Sequence, residues 1–111
     1  MDDKRLIKAF IRGFSRPIIL RLIFLRPMCG YNLMREFKNI TGERLKPGVV
    51  YPFLHTLEEG GYVVGTWVEN GKRRVKSYIL TAKGERLLTS IKHRISMLLG
   101  DIVLELVRRE K

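Results

Sequence analysis

Residues 47–80 read PGVVYPFLHTLEEGGYVVGTWVENGKRRVKSYIL, and the change of period inside this stretch decides the fold. Its first part is a helix. Pro47 suits a first helical position, where the missing N–H has no intrahelical partner to lose. Val50, Leu54 and Leu57 recur at i, i+4 and i+7 as one buried stripe, and Gly60-Gly61 supplies the stop. Pro52 is a local conflict: a proline costs about 3 kcal/mol in a helix interior and less near the first turn, so a distorted first turn is expected. From Tyr62 the pattern becomes that of strands. Tyr62 to Glu69 and Arg74 to Leu80 are rich in Val, Ile, Thr, Tyr and Trp. Asn70-Gly71 lies between them, a pair that accepts the positive φ a tight hairpin turn asks of both residues. The stretch is thus a helix followed at once by a two-stranded ribbon, with Lys72, Arg73, Arg74 and Lys76 at or near its tip.

Upstream, Gly30 or Tyr31 to Ile40 is helical, with Leu33, Phe37 and Ile40 inward and Arg35, Glu36 and Lys38 outward. Thr41-Gly42 stops it, and the short loop Glu43 to Lys46 follows. Before that, Pro17 sits in the first turn of a helix that carries Ile18, Ile19, Leu22, Ile23 and Leu25 and closes at Pro27. Residues 4–14 place Leu6, Ile7, Phe10, Ile11 and Phe14 at helical spacing, an amphipathic helix. Downstream, Thr81 caps a helix expected to reach about Arg109. Its Leu88, Ile91, Ile95, Leu98 and Ile102 form a heptad seam, widened by Leu87, Leu99, Val103 and Leu106. Gly100 weakens it by about 1 kcal/mol relative to Ala and allows a local bend. Helix, helix, turn, helix, ribbon, helix describes an α+β, mostly α chain: a winged helix-turn-helix with an N-terminal helix and a long C-terminal dimerisation helix. The expected units are an N-terminal helix packing on the dimer over 1–14, the winged helix-turn-helix over 15–81 and the dimerisation helix over 82–111.

The 111 residues carry 22 Lys and Arg against 11 Asp and Glu, a net charge of +11, and 45% of them are hydrophobic. A chain that can bury a core displays this charge on a folded body, which points to a polyanion: nucleic acid first, an anionic membrane surface second. Thirteen of the basic residues are Arg, whose planar fork suits phosphate. A single cysteine, Cys29, excludes an internal disulfide, and two separated histidines leave no zinc ligand set. No metal or cofactor is expected. Neither a nucleophile–base pair nor a Gly-rich phosphate loop is present, so an enzyme is disfavoured. The N-terminus lacks the apolar region of a signal peptide, and the run Ile18 to Leu25 is broken by Arg21 and far short of the roughly 20 residues that cross a bilayer. The expected location is the cytoplasm.

In a helix-turn-helix the last helix of the trihelical core enters the major groove and the ribbon reaches the flanking backbone or minor groove. With Val50, Leu54 and Leu57 turned to the core, the candidate reading face is Gly48, Val49, Tyr51, Pro52 and His55, with Lys46 just ahead. Few of these are hydrogen-bonding base readers, so discrimination leans on Tyr51, His55, thymine-methyl contacts and DNA shape. The alternatives are a Tyr51 packed on the core edge and a merely solvated His55. Lys72, Arg73, Arg74 and Lys76 are the candidate wing contacts, and Tyr31, Asn32 and Arg35 the candidate backbone contacts. Residues 62–84 hold a net +4 and residues 85–111 a net +2, so the wing is more basic than the last helix. Trp67 reads as ribbon packing and Cys29 as a small buried hydrophobe.

Leu22 to Leu33 (LIFLRPMCGYNL), Pro47 to Val63 and Lys76 to Gly84 (KSYILTAKG) together resemble the PadR family of transcriptional regulators over roughly residues 18–88. The string Tyr-Pro-x-Leu-x-x-Leu-Glu, here Tyr51 to Glu58, is the most specific part. The resemblance implies a dimeric winged-helix repressor, dimerised through its C-terminal helix and often released from DNA by a small-molecule effector. It places the family's recognition-helix tyrosine at Tyr51 and its basic wing at Lys72 to Lys76. Two positions depart from the family pattern: Cys29 stands where His is frequent, and Lys46 where a small polar cap is usual. Losing such a cap costs about 1 kcal/mol, while Lys46 adds a cation where a phosphate would lie.

A last helix of roughly 28 residues would be about 42 Å long, more than a winged-helix body is wide. Its distal half would be wet in a monomer, so pairing of two chains is expected through Phe10, Phe14, Leu88, Ile91, Ile95, Leu98, Ile102 and Leu106. The two-fold symmetry would match a palindromic duplex operator. Two other functions remain open on this sequence: a non-specific architectural DNA-binding protein, and a membrane-surface protein anchored by residues 4–14.

Overall fold

A computed structural model describes residues 2–108. Helix α1 (Asp3–Arg12) is capped by Asp2, whose carboxylate accepts from the Arg5 N–H at 2.9 Å, and buries none of its residues. Helix α2 (Ser15–Leu25) seals Ile19, Leu20, Leu22 and Ile23 in the core. It ends at an extended Arg26, the backbone that a following proline imposes. Strand β1 (Met28–Cys29) leads directly into helix α3 (Gly30–Thr41), which buries Leu33 and Phe37. Gly42, at φ +76°, closes α3 by donating its N–H to the Lys38 carbonyl at 2.7 Å, a left-handed cap that glycine adopts without strain. In the next loop Leu45 drops into the core.

Helix α4 (Pro47–Glu59) turns Val50, Leu54 and Leu57 inward, the stripe expected from their spacing. The Val49 and Val50 N–H groups both donate to the Lys46 carbonyl, at 2.9 and 3.2 Å, so the first turn is tightened, and Pro52 is accommodated inside a continuous helix. Its end is a Schellman cap: Tyr62 N–H donates to Leu57 O, Gly61 N–H donates to Glu58 O, and Gly61 takes φ +77°.

The ribbon is β2 (Val63–Asn70) paired antiparallel with β3 (Arg73–Leu80), and Asn70 faces Arg73 across the turn. The turn residues are therefore Gly71-Lys72, not Asn70-Gly71. Only Gly71 has positive φ, +66°, as in a hairpin turn with glycine at its first central position. The ribbon is also not two-stranded: β1 adds to the far side of β3, with Met28 opposite Tyr78 and Cys29 opposite Ser77, giving the order β1-β3-β2. This edge ties the wing back to the start of α3.

Thr81 joins wing to last helix. Its hydroxyl accepts from Gly84 N–H at 3.1 Å as the N-cap of helix α5 (Ala82–Val107) and donates to Gly61 O at 2.6 Å. Gly84 lies against the Tyr62 carbonyl and the Leu80 side chain, where no Cβ would fit. Helix α5 runs unbroken past Gly100; the residues from Arg109 onward, to which the expected helix extended, lie outside the described residues. Two burial expectations are corrected. Ile40 follows Phe37 on the same side of α3 but sits at the end of the helix, where it is 60% exposed and borders an apolar groove with Ile18, Leu22 and Leu25. Leu88, expected at a dimer seam, is 3% exposed and belongs to the protomer's own core, because α5 crosses α2 at this point.

Candidate nucleic-acid interface

The outer face of α4 follows from the burial of its inner stripe. Gly48, Val49, Tyr51, Pro52 and His55 are all exposed, and space around Gly48 is open, so no packing demand keeps a side chain off that position. Tyr51 is 46% exposed, with its ring seated on Gly30: a Cβ at Gly30 would come within 2.5 Å of Tyr51 Cε1. Glycine at the start of α3 thus sets where Tyr51 stands. His55 Nε2 lies 2.6 Å from Glu59 Oε1 one turn on, with both side chains largely in solvent. Lys46 is the N-cap of α4 and supplies no side-chain hydrogen bond, so the helix start is uncapped.

The wing and α4 converge on one cleft of about 310 Å³, lined by Gly30, Tyr31, Tyr51, Trp67, Arg73 and Arg74 among others. Sequence spacing did not announce what holds it together. Glu58, on the inner side of α4, accepts from Lys76 Nζ at 2.7 Å through Oε1 and from the Gly65 N–H at 3.2 Å through Oε2. The hydrogen bond from Lys76 holds the Glu58 carboxyl below its ordinary range, against the opposing effect of burial, with the Gly65 N–H helping. The same bond raises Lys76. A carboxylate that accepts from both strands of a ribbon fixes that ribbon against its helix. The final glutamate of the Tyr-Pro-x-Leu-x-x-Leu-Glu string was the one available signal, and its partner lies 18 residues away.

Lys76 is thereby separated from the other wing cations. Arg74 stacks over Trp67 at 5.5 Å and stands 4.0 Å from Glu69, its cross-strand partner. Trp67 itself is 59% exposed, with Lys76 near its ring as well. Lys72 and Arg73 at the tip have no carboxylate partner among the described residues. On α3, Tyr31 is exposed beneath Arg35, whose guanidinium is 5.9 Å from the ring centre. Asn32 is half-buried beside the β1–wing junction. Cys29 is a free, half-buried thiol at the α3 N-cap. Among the described residues no group of three or more His, Cys, Asp or Glu could hold a metal, and no helix is long and apolar enough to cross a membrane.

Residues 19–90, well over half of the chain, match the transcriptional regulator PadR-like family. The chain belongs to that family. Solved PadR-family structures share its architecture. A PadR family transcriptional regulator from Eggerthella lenta aligns with a TM-score of 0.85 at 22% identity, over 96% of this chain and 93% of that one. A PadR-like transcriptional regulator from Bacillus cereus gives 0.79 at 22% identity, over 91% and 99%. A PadR family transcription regulator from Clostridium difficile gives 0.76 at 21% identity, over 85% and 99%. At such identities the likeness speaks to the fold. No curated protein matches the sequence significantly. This PadR-like chain is a DNA-binding transcriptional regulator with a winged-helix fold, and its family is one of regulators and not of enzymes.

Proposed function

We propose that this PadR-like regulator works as a cytoplasmic homodimer that binds a palindromic duplex operator and represses transcription until a small-molecule effector releases it. The observation that carries the reading is the uncharged, exposed face of α4 around Tyr51, set between the basic wing tip and the cations that precede the helix. Charge on either side supplies affinity for any duplex, and the face between supplies choice. Gly48, Val49, Tyr51, Pro52 and His55 would meet bases and methyl groups. Lys46, Tyr31, Asn32 and Arg35 would meet the backbone, and Lys72, Arg73 and Arg74 the flank. Lys76 is better read as a positioning residue, since its ammonium is taken by Glu58.

Two exposed apolar surfaces support the dimer. Helix α1 buries nothing, and its Phe10 is 70% exposed; Phe14 beside it is also exposed. Along α5, Ile91 and Ile95 are half-buried, while Leu98, Ile102 and Leu106 stand in solvent, Leu106 at 78%. Apolar surface of this extent on a small body marks an association site. The deciding experiment is selection of bound sequences from a random duplex pool at physiological salt. The expected result is an inverted repeat whose half-sites are spaced by about one helical turn, roughly 34–36 Å, or a multiple of it. Enrichment of no motif would leave only non-specific DNA binding.

A further inference from the structure

One basic cluster adjoins the face just described and shares only Lys46 and Val49 with it. It lies at the corner where α1 meets α2, against the start of α4. A surface pocket of about 420 Å³ there is lined by Arg12, Ser15, Arg16, Arg44 and Lys46 beside Leu45. Four cations line it and no carboxylate does. None of the four forms an ion pair among the described residues. Gathering like charges without a counter-charge is unfavourable, and an anion in the pocket would relieve it. Arg16 is held toward α4 by its position 5.5 Å over the Phe53 ring.

Ser15 points independently to a ligand. At 6% exposure it is the one buried polar side chain among the described residues, and its hydroxyl has no hydrogen-bond partner there. No fully enclosed side-chain oxygen or nitrogen among those residues lacks a partner, so the Ser15 oxygen retains access, and this pocket is the opening it lines. Ser15 and Arg16 also stand in the first turn of α2, whose N-cap Phe14 gives no side-chain hydrogen bond; Lys46 at the start of α4 gives none either. Two helix N-termini without side-chain caps therefore meet at the pocket, each with a partial positive charge to offer.

We infer that this pocket is a phosphate-binding site, with the Ser15 hydroxyl as donor and Arg12, Arg16, Arg44 and Lys46 as counter-charges. A tetrahedral oxyanion with several acceptor oxygens can use guanidinium forks, an ammonium and a hydroxyl together, which a planar carboxylate cannot. The inference rests on the DNA-binding reading only for the source of the phosphate. That source is a strand phosphate beside the groove that α4 enters, or a free phosphate ester.

The test uses the full chain and the double variant Arg16→Gln, Arg44→Gln, both at exposed positions, with thermal melting to check the fold. Inorganic phosphate is titrated at constant ionic strength while the backbone amide signals of Ser15 and Arg16 are followed by NMR. Saturable shifts are expected in the parent chain and not in the double variant. In parallel, the salt dependence of duplex binding is measured for both proteins. Loss of one strand phosphate flattens the slope of log K against log salt by about 0.9. Amide shifts with an unchanged slope assign the site to free phosphate, and a flattened slope assigns it to the strand. The absence of both effects overturns the site. If the parent chain binds no duplex at all, the proposed operator function falls, and the amide titration still decides the pocket.

Discussion

Tyr51 is held by what lies under it as much as by its own helix. Its ring rests on Gly30, so Gly30→Ala must push the ring off its seat although residue 30 is remote in sequence. Gly30→Ala and Tyr51→Ala are both expected to lower operator affinity about tenfold, equivalent to about 1.4 kcal/mol. Random duplex should be affected little, as competition binding with the two DNAs would measure. Equal losses on both DNAs would remove Tyr51 from sequence reading. The Glu58–Lys76 pair gives a pH signature. Glu58, lowered by its bond to Lys76, contributes stability that is present above about 4.3, the ordinary Glu value, and lost as pH falls through the lowered one. Lys76, raised by the same bond, contributes below about 10.4 and loses its contribution as pH rises further. Melting of the parent chain against Glu58→Gln should show a constant difference between those limits that narrows on either side. A difference independent of pH would mean that the pair is not ionised. Tyr51 was legible from the helical stripe. The pair was not, because its members come from two elements whose docking no local pattern encodes.

At the scale of elements, α4 and its stop were plain in the sequence because their determinants are local: a stripe at helical spacing and two glycines. The wing was legible as a ribbon but not in its register. Asn70 lies within the ladder opposite Arg73, and Gly71 carries the turn at φ +66°. Pairing along eight-residue strands outweighs the preference of one dipeptide. Gly71→Ala should cost about 1 kcal/mol, the penalty of left-handed backbone for an L-residue. Asn70→Ala should cost less, and chemical denaturation would rank the two. Strand β1 escaped notice because two residues, Met28 and Cys29, are too few to show a period. The wing tip's electrostatic share is testable on its own. Neutralising Lys72, Arg73 and Arg74 should weaken binding to all sequences alike and flatten the salt slope by about 0.9 for each phosphate no longer neutralised. Lys76→Gln should instead loosen the wing and lower thermal stability.

Over the whole molecule, the extents of 64 × 33 × 20 Å show how far α1 and the distal part of α5 project from the core. A body with so much apolar surface outside its core is expected to be a dimer of about 26 kDa, twice the 13.0 kDa chain. Leu98→Glu with Ile102→Glu should give a folded monomer by light scattering and weaken operator binding at least tenfold, since one half-site would then be bound without the other. A monomeric parent chain would overturn this. Leu88→Ala, by contrast, should unfold the protomer more readily, costing about 2–5 kcal/mol as a buried leucine does. The heptad seam ran through buried and exposed residues alike, and only the packing of α5 on α2 separates the two. By itself the sequence determined the order of helices and strands, their stops and caps, and the net charge of +11, because each depends on residues adjacent in the chain. The tertiary structure alone decided the β1–β3 edge, the Glu58 clamp, the seat of Tyr51 on Gly30 and the gathering of four cations around Ser15. Each of these joins side chains or strands from separate elements, and such meetings are fixed by how the core packs, not by any local pattern.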